Sequence, residues 1–237
     1  MSILQGQCGD RLYWSLEEDS GRLTISGSGP MWDYARCWED GPVPAWRGRG
    51  LELRLEEGIT SIGRAAFEGC FVEELTLPST IKAIGEAAFD ECGITQLSLN
   101  EGLEVIGEIA FFGNAFAEVH LPSTVKLIGD RAFGGPAGFV RHAVIPAGLE
   151  EIGNGEEYHI FGEGFDAPEC IELYGAPVAD WNLWWPILAF MEGEVLYPAE
   201  WKESDLPDRR IFALYPGVDP KMAEEEDFGQ IWTPKEE

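Results

Sequence analysis

The chain carries few of the groups on which most catalytic and nucleic-acid-binding proteins depend. It has three histidines, His120, His142 and His159, which leaves few members for a histidine-based triad or metal cluster. Its five cysteines are odd in number, scattered and without a C-x-x-C pair, which is neither a disulfide framework nor a zinc site. No phosphate-binding G-x-x-x-x-G-K-[ST], H-E-x-x-H, EF-hand loop or dinucleotide-type G-x-G-x-x-G is present. No apolar run approaches the roughly 18 residues of a membrane-spanning helix. Met1–Arg11, with Gln5, Gln7 and Asp10, lacks the apolar centre of a signal peptide. Basic residues are scarce as well. Sixteen Lys and Arg stand against 43 Asp and Glu, a net charge of −27, and such a balance repels nucleic acid and anionic lipid. These absences lead us to expect no catalysis, no cofactor, no metal, no nucleic acid and no membrane. They also lead us to expect a cytoplasmic protein if Met1 is the native start, or a secreted or surface protein if a leader has been removed.

What is present is a folded composition, 45% hydrophobic and 12% aromatic. The negative charge is unevenly spread. Residues 1–50 carry 7 acidic and 5 basic residues (net −2), residues 51–170 carry 21 and 6 (−15), and residues 171–237 carry 15 and 5 (−10). It serves either solubility or the recruitment of a basic partner.

Self-similarity organises the middle of the chain. Ile62-Gly63, Ile84-Gly85, Ile106-Gly107, Ile128-Gly129 and Ile152-Gly153 recur at spacings of 22, 22, 22 and 24 residues. Ala-Phe pairs follow the first four, ending in Phe67, Phe89, Phe111 and Phe133. Upstream lie L-x-L-like triplets, Leu53/Leu55, Leu75/Leu77, Leu97/Leu99, Val119/Leu121 and Ala143/Ile145. In each triplet the outer residues face one way and the middle one the other, as in a half-buried strand. The glycine is expected to relieve a turn and the Ala-Phe pair to pack on the far side of the coil. One coil cannot bury its own apolar face, so neighbours must stack. Cys70, Cys92, Asn114 and Pro136 form a further column, in which Cys70 and Cys92 read as a buried ladder; stacking could also bring these two within disulfide reach.

The stretch Leu75-Thr76-Leu77-Pro78-Ser79-Thr80-Ile81-Lys82-Ala83-Ile84-Gly85-Glu86-Ala87-Ala88-Phe89-Asp90-Glu91-Cys92 resembles the BspA-like, or Treponema-type, leucine-rich repeat, and the resemblance covers about residues 51–153. Cys8-Gly9-Asp10 to Leu23-Thr24-Ile25-Ser26-Gly27-Ser28-Gly29 is similar to the non-repeat cap that often precedes such arrays. The resemblance implies protein binding, often by bacterial surface adhesins, and brings no catalytic residues. It implies an α/β leucine-rich-repeat solenoid, with strands on the concave face, short helical or irregular segments on the convex side and a cap at each end. The expected divisions are a hairpin-containing N-terminal cap (1–50), about five coils and a final strand (51–173), and a Trp-rich acidic C-terminal cap or appended region (174–237).

Two features disturb the period. Phe161 follows Gly153 by eight residues instead of four, so Asn154–His159 holds an insertion, and Ile171-Glu172-Leu173 reads as the last strand. All nine tryptophans lie outside the repeats: Trp14, Trp32, Trp38 and Trp46 before them, and Trp181, Trp184, Trp185, Trp201 and Trp232 after. Residues 12–16 and 23–26 read as strands joined by Glu17–Arg22, a hairpin able to plug the first coil. Short helical pieces are expected around Trp181–Leu188, interrupted by Pro186, and over Lys221–Phe228.

Outward-facing strand positions define the candidate binding surface: Glu52, Arg54, Glu56, Glu74, Thr76, Gln96, Ser98, Glu118, His120, His142 and Val144. Trp184 and Trp201 are added as aromatic anchors in the tail. The expected partner is a protein with a basic surface. The leading expectation is a cytoplasmic acidic inhibitor, such as an immunity protein that neutralises a basic toxin; the alternative is an extracellular adhesin that binds host proteins.

Overall fold

A computed structural model describes residues 2–135, 140–153, 160–161, 168–178, 184, 194–206 and 231–235. Pro136, the Asn154–His159 insertion, Trp181, Trp185 and Lys221–Phe228 lie outside the described residues. The chain opens with β1 (Ile3–Gly9), β2 (Leu12–Glu17), β3 (Arg22–Gly27) and β4 (Gly29–Pro30). Each coil then contributes two short strands: β5 (Glu52–Leu55) and β6 (Ile59–Ile62), β7 (Glu74–Thr76) and β8 (Ala83–Ile84), β9 (Gln96–Ser98) and β10 (Val105–Ile106), β11 (Glu118–His120) and β12 (Leu127–Ile128), β13 (His142–Pro146) and β14 (Glu151–Ile152). Three more strands follow, β15 (Cys170–Tyr174), β16 (Glu194–Tyr197) and β17 (Ile231–Pro234).

The expected hairpin is β2–β3, and β3 pairs in parallel with β5, so the cap hands its sheet directly to the first coil. Neighbouring coils stack in register as parallel strands, and β14-β12-β10-β8-β6-β4 form one six-stranded sheet. A second parallel sheet, β11-β13-β15-β16-β17, does not stop at β15. Strands β16 and β17 extend it in parallel, with Cys170 opposite Glu194 and Glu194 opposite Ile231. The parallel sheet therefore runs past residue 173, where the period in the sequence ends.

The far side of the repeats is turn, the irregular form of the two expected there, and no helix occurs among the described residues of 51–153. Hydrogen bonding gives the reason. Ala65, Phe67 and Gly69 donate their N–H to Glu86, Ala88 and Asp90 of the next coil, while Ala66, Glu68 and Cys70 donate to the residue three before. Half of the amides are thus committed between coils and cannot close helical i→i−4 rings. Ala65, Ala87, Ile109 and Arg131 also sit at φ 47–52°, a left-handed conformation that ends any helix.

The column glycine has a different role from the expected relief of a turn. At Gly107 an added Cβ would stand 2.7 Å from the Glu86 nitrogen of the preceding coil, and at Gly129 2.3 Å from that of Glu108. Glycine is required there because successive backbones nearly touch.

The core is one continuous stack. Phe67, Phe89, Phe111 and Phe133 lie face to face at centroid spacings of 5.0, 5.5 and 5.4 Å, within 9° of parallel. Trp46 of the cap closes the stack 5.8 Å from Phe67, with Trp14 and Tyr34 edge-on to it. The delayed Phe161 returns to the column, 6.4 Å from Phe133. The neighbouring ladder is polar at its tips. Cys70 reaches the Trp46 carbonyl of the cap, and Cys92 and Asn114 reach the carbonyls of Phe67 and Phe89 in the coil before. Both cysteines are free thiols, and burial pushes Cys70 up to about 11 and Cys92 well above its ordinary value.

Candidate functional site

On the L-x-L face, alternation turns every second side chain outward. Glu52, Arg54, Glu56, Glu74, Thr76, Gln96, Ser98, Glu118 and His120 are exposed there, and His142 and Val144 are half-buried. Parallel register makes rows of them across the coils. Glu74 lies opposite Gln96 and Thr76 opposite Ser98; Glu118 lies opposite His142 and His120 opposite Val144.

The strip is less uniformly acidic than its residues suggest. Arg22 of β3 holds Glu52 in a two-pronged ion pair, with both N···O distances 3.1 Å. Gln96 Nε2 donates to Glu74 Oε1 at 3.0 Å. His120 and His142 form an edge-to-face ring pair at 6.1 Å, each near a carboxylate: Glu118 at 3.9 Å and Glu172 at 3.8 Å. Lys235 also pairs with Glu172, carrying the face on to the C-terminal strands. Neither was among the expected surface positions: Glu172 is the middle residue of the strand expected to be the last, and Lys235 follows β17, which the period does not reach. Among the described residues, no group of three His, Cys, Asp or Glu is placed to hold a metal ion.

The two tail tryptophans do not join this surface. Trp184 is fully buried and Trp201 is 6% exposed, with its Nε1 donating to the Gly175 carbonyl. Both pack into the molecule's interior, where a large ring contributes most by removing its apolar area from water. Among the described residues, the exposed tryptophans are instead Trp32 and Trp38 of the N-terminal cap.

On the turn side, sequence reasoning missed a buried ion cluster. Arg36 Nε bonds Glu68 Oε1 at 2.9 Å and its Nη2 bonds Asp90, while Arg47 lies 3.4 Å from Glu68. All but Arg47 are at least nine-tenths buried. The signal was faint: Glu68 and Asp90 each follow a column phenylalanine. Burial, opposed only in part by Arg36, pushes the Asp90 carboxyl up to about 6. Removing one member would leave a buried charge unmatched, so the cluster fixes the cap loop to the first two coils. Arg64 adds a second clasp by bonding both Glu39 and Glu86; hydrogen bonding to Arg64 holds Glu39 down at about 2.

The exposed edges of the coils are joined by alternating clamps. Glu57 accepts from Ser79 N–H and Oγ, and Gly58 N–H donates to Thr80 Oγ1; Glu101 with Ser123 and Gly102 with Thr124 repeat this two coils on. Between these pairs the joint changes to Lys82–Glu104 and Lys126–Glu150, each at 3.1 Å.

Comparison with known proteins agrees with this architecture. Residues 51–156 match the BspA-type leucine-rich repeat region in six copies. A leucine-rich repeat protein from Eubacterium ventriosum superposes with TM-score 0.59 and 26% identity, over 77% of this chain and 48% of that one. A leucine-rich repeat protein from Bacteroides ovatus superposes at TM-score 0.34 and 20% identity, over 80% of this chain and 49% of that one. The chain thus spans about half the length of each. No curated protein matches it significantly. Residues 51–156 are therefore a run of BspA-type leucine-rich repeats, stacked as a solenoid.

Proposed function

We propose that the L-x-L strand face is the working surface and that it binds a protein rich in Lys and Arg, inhibiting that protein by covering its basic site. The observation that carries this reading is the exposure of Glu56, Glu74 and Glu118 on one face of a hydrogen-bonded strand ladder within a chain of net charge −27. Rigid placement lets a complementary partner bind without ordering the face first, and the net field steers a basic partner toward it. A cytoplasmic inhibitor of a basic toxin or nuclease fits these properties.

The experiment is affinity capture from the source organism, followed by surface plasmon resonance with the captured protein over a salt series. The screening length falls from about 10 Å at 0.1 M salt to about 3 Å at 1 M, so the association rate should drop steeply. Glu74→Lys combined with Glu118→Lys should slow association at low salt. A partner without a basic surface, or a rate indifferent to salt, rejects the reading.

A further inference from the structure

The cap ends in an edge that nothing among the described residues covers. Strand β1 pairs with β2 on one side alone. The register Ile3↔Glu17, Leu4↔Leu16, Gln5↔Ser15, Gly6↔Trp14 and Gln7↔Tyr13, with Glu18 N–H donating to the Ser2 carbonyl, makes Leu4 and Gly6 the residues bonded to β2. Ile3, Gln5 and Gln7 therefore turn their N–H and C=O groups outward. Natural edge strands are usually blunted by charge or proline. Ser2–Gly9 contains neither, in a chain where every fourth residue is charged. Ile3 is 51% exposed and Leu4 36%. Beyond Gln7 the edge is closed, because Trp32 N–H bonds the Cys8 carbonyl.

We infer that β1 is a self-association edge, and that two copies of this chain pair antiparallel through it about a two-fold axis centred on Gln5. With Gln5 opposite its own copy, Ile3 faces Gln7 of the second chain. Three outward-facing residues on each side then exchange about six hydrogen bonds. The same register sets Leu4 opposite the second copy's Gly6. An added Cβ at Gly6 would lie 2.8–2.9 Å from the Trp14 ring, so that ring already rests on the bare backbone there. Leu4 settles beside that glycine, against the rim of the indole, and covers the apolar surface both strands now expose.

A second copy fits better than another occupant because of charge. Residues 1–50 carry net −2, against −25 over the rest of the chain. Two copies of so acidic a protein can approach closely only at this end. At the C-terminal end of the stack the last described strand is β17, the edge of a separate sheet, which closes on Pro234 within the acidic region. Proline cannot donate to a ladder, which disfavours head-to-tail growth. A two-fold joint closes after two copies and fuses their cap sheets, so both binding faces hang from a single hydrogen-bonded sheet.

Sedimentation velocity of the 237-residue chain from micromolar to millimolar concentration tests this. The expected product is a species of twice 26.2 kDa, favoured by added salt because screening relieves the repulsion between copies. That salt dependence is opposite in sign to the one expected for the basic partner, so the two readings can fail separately. Gln5→Pro removes an outward N–H without touching the β1–β2 bonds and should weaken the dimer at least tenfold. The Ile3→Lys/Gln7→Lys variant sets like charges opposite each other and should be monomeric. The Ile3→Lys/Gln7→Glu variant sets opposite charges there and should restore the dimer, which keeps the register testable if Gln5→Pro fails to fold. A monomer at all concentrations and salts, a dimer unaffected by these changes, or assembly that grows beyond two copies would overturn the inference.

Discussion

On the strand face, Glu74, Thr76, Gln96 and Ser98 stand in solvent, tied by little more than the Gln96–Glu74 hydrogen bond. On the turn side of the same two coils, Ala88, Phe89, Ala110 and Phe111 have no exposed surface. The backbone there approaches its neighbour so closely that Gly107 has no room for a methyl group. Both sides obey the same 22-residue spacing. What differs is whether a position meets its own copy in the next coil or meets water. The first must keep its residue, and the second is free to vary with the partner. A binding surface can thus be rewritten on this scaffold without disturbing the stack that holds it.

Phe89→Ala should break the turn side hardest. The ring lies between Phe67 and Phe111, and its loss opens a cavity worth about 3–5 kcal/mol. Urea unfolding showing a loss below about 1 kcal/mol would mean that the stack does not hold the coils together. Gly107→Ala comes next, at about 1–3 kcal/mol, because the atoms it meets are backbone and cannot step aside. A neutral outcome in the same measurement would show that the coils can separate by a few tenths of an ångström at no cost.

Asp90 sharpens the contrast through pH. Its folded value of about 6 exceeds the unfolded value of about 3.9, so the folded chain binds this proton more tightly. The contribution favours folding below about pH 4 and is lost as pH rises through about 6. Asp90→Asn keeps an acceptor for Arg36 and removes the titration. The stability difference between parent and variant should therefore shift against the parent from pH 4 to pH 7; thermal melts giving a constant difference would place the carboxyl elsewhere on the scale.

The smallest effect is expected on the strand face. Glu74→Lys with Glu118→Lys should change stability by no more than about 0.5 kcal/mol, read by the same melts, even as it slows the partner.

The repeats were legible because each buried position touches its own copy, which forces one residue type into one column. The exposed strand positions were legible by alternation alone. Strand β1 was not, since Gly6 interrupts its apolar side, and neither were β16 and β17, whose separations depart from the period. The burial of Trp184 and Trp201 was hidden for a different reason: an aromatic side chain looks the same in sequence whether it faces a core or a partner. The ion cluster required knowing that the cap loop folds back over Glu68 and Asp90.

The alternating clamps give the array a parity. Odd coils offer Glu57-Gly58 or Glu101-Gly102, and even coils answer with Ser79-Thr80 or Ser123-Thr124, while Lys82 and Lys126 of the even coils reach forward to Glu104 and Glu150 of the next odd ones. Duplicating or deleting a single coil would set like against like at the junction, whereas a step of two coils would reproduce every joint. The natural increment of length for this solenoid is the pair.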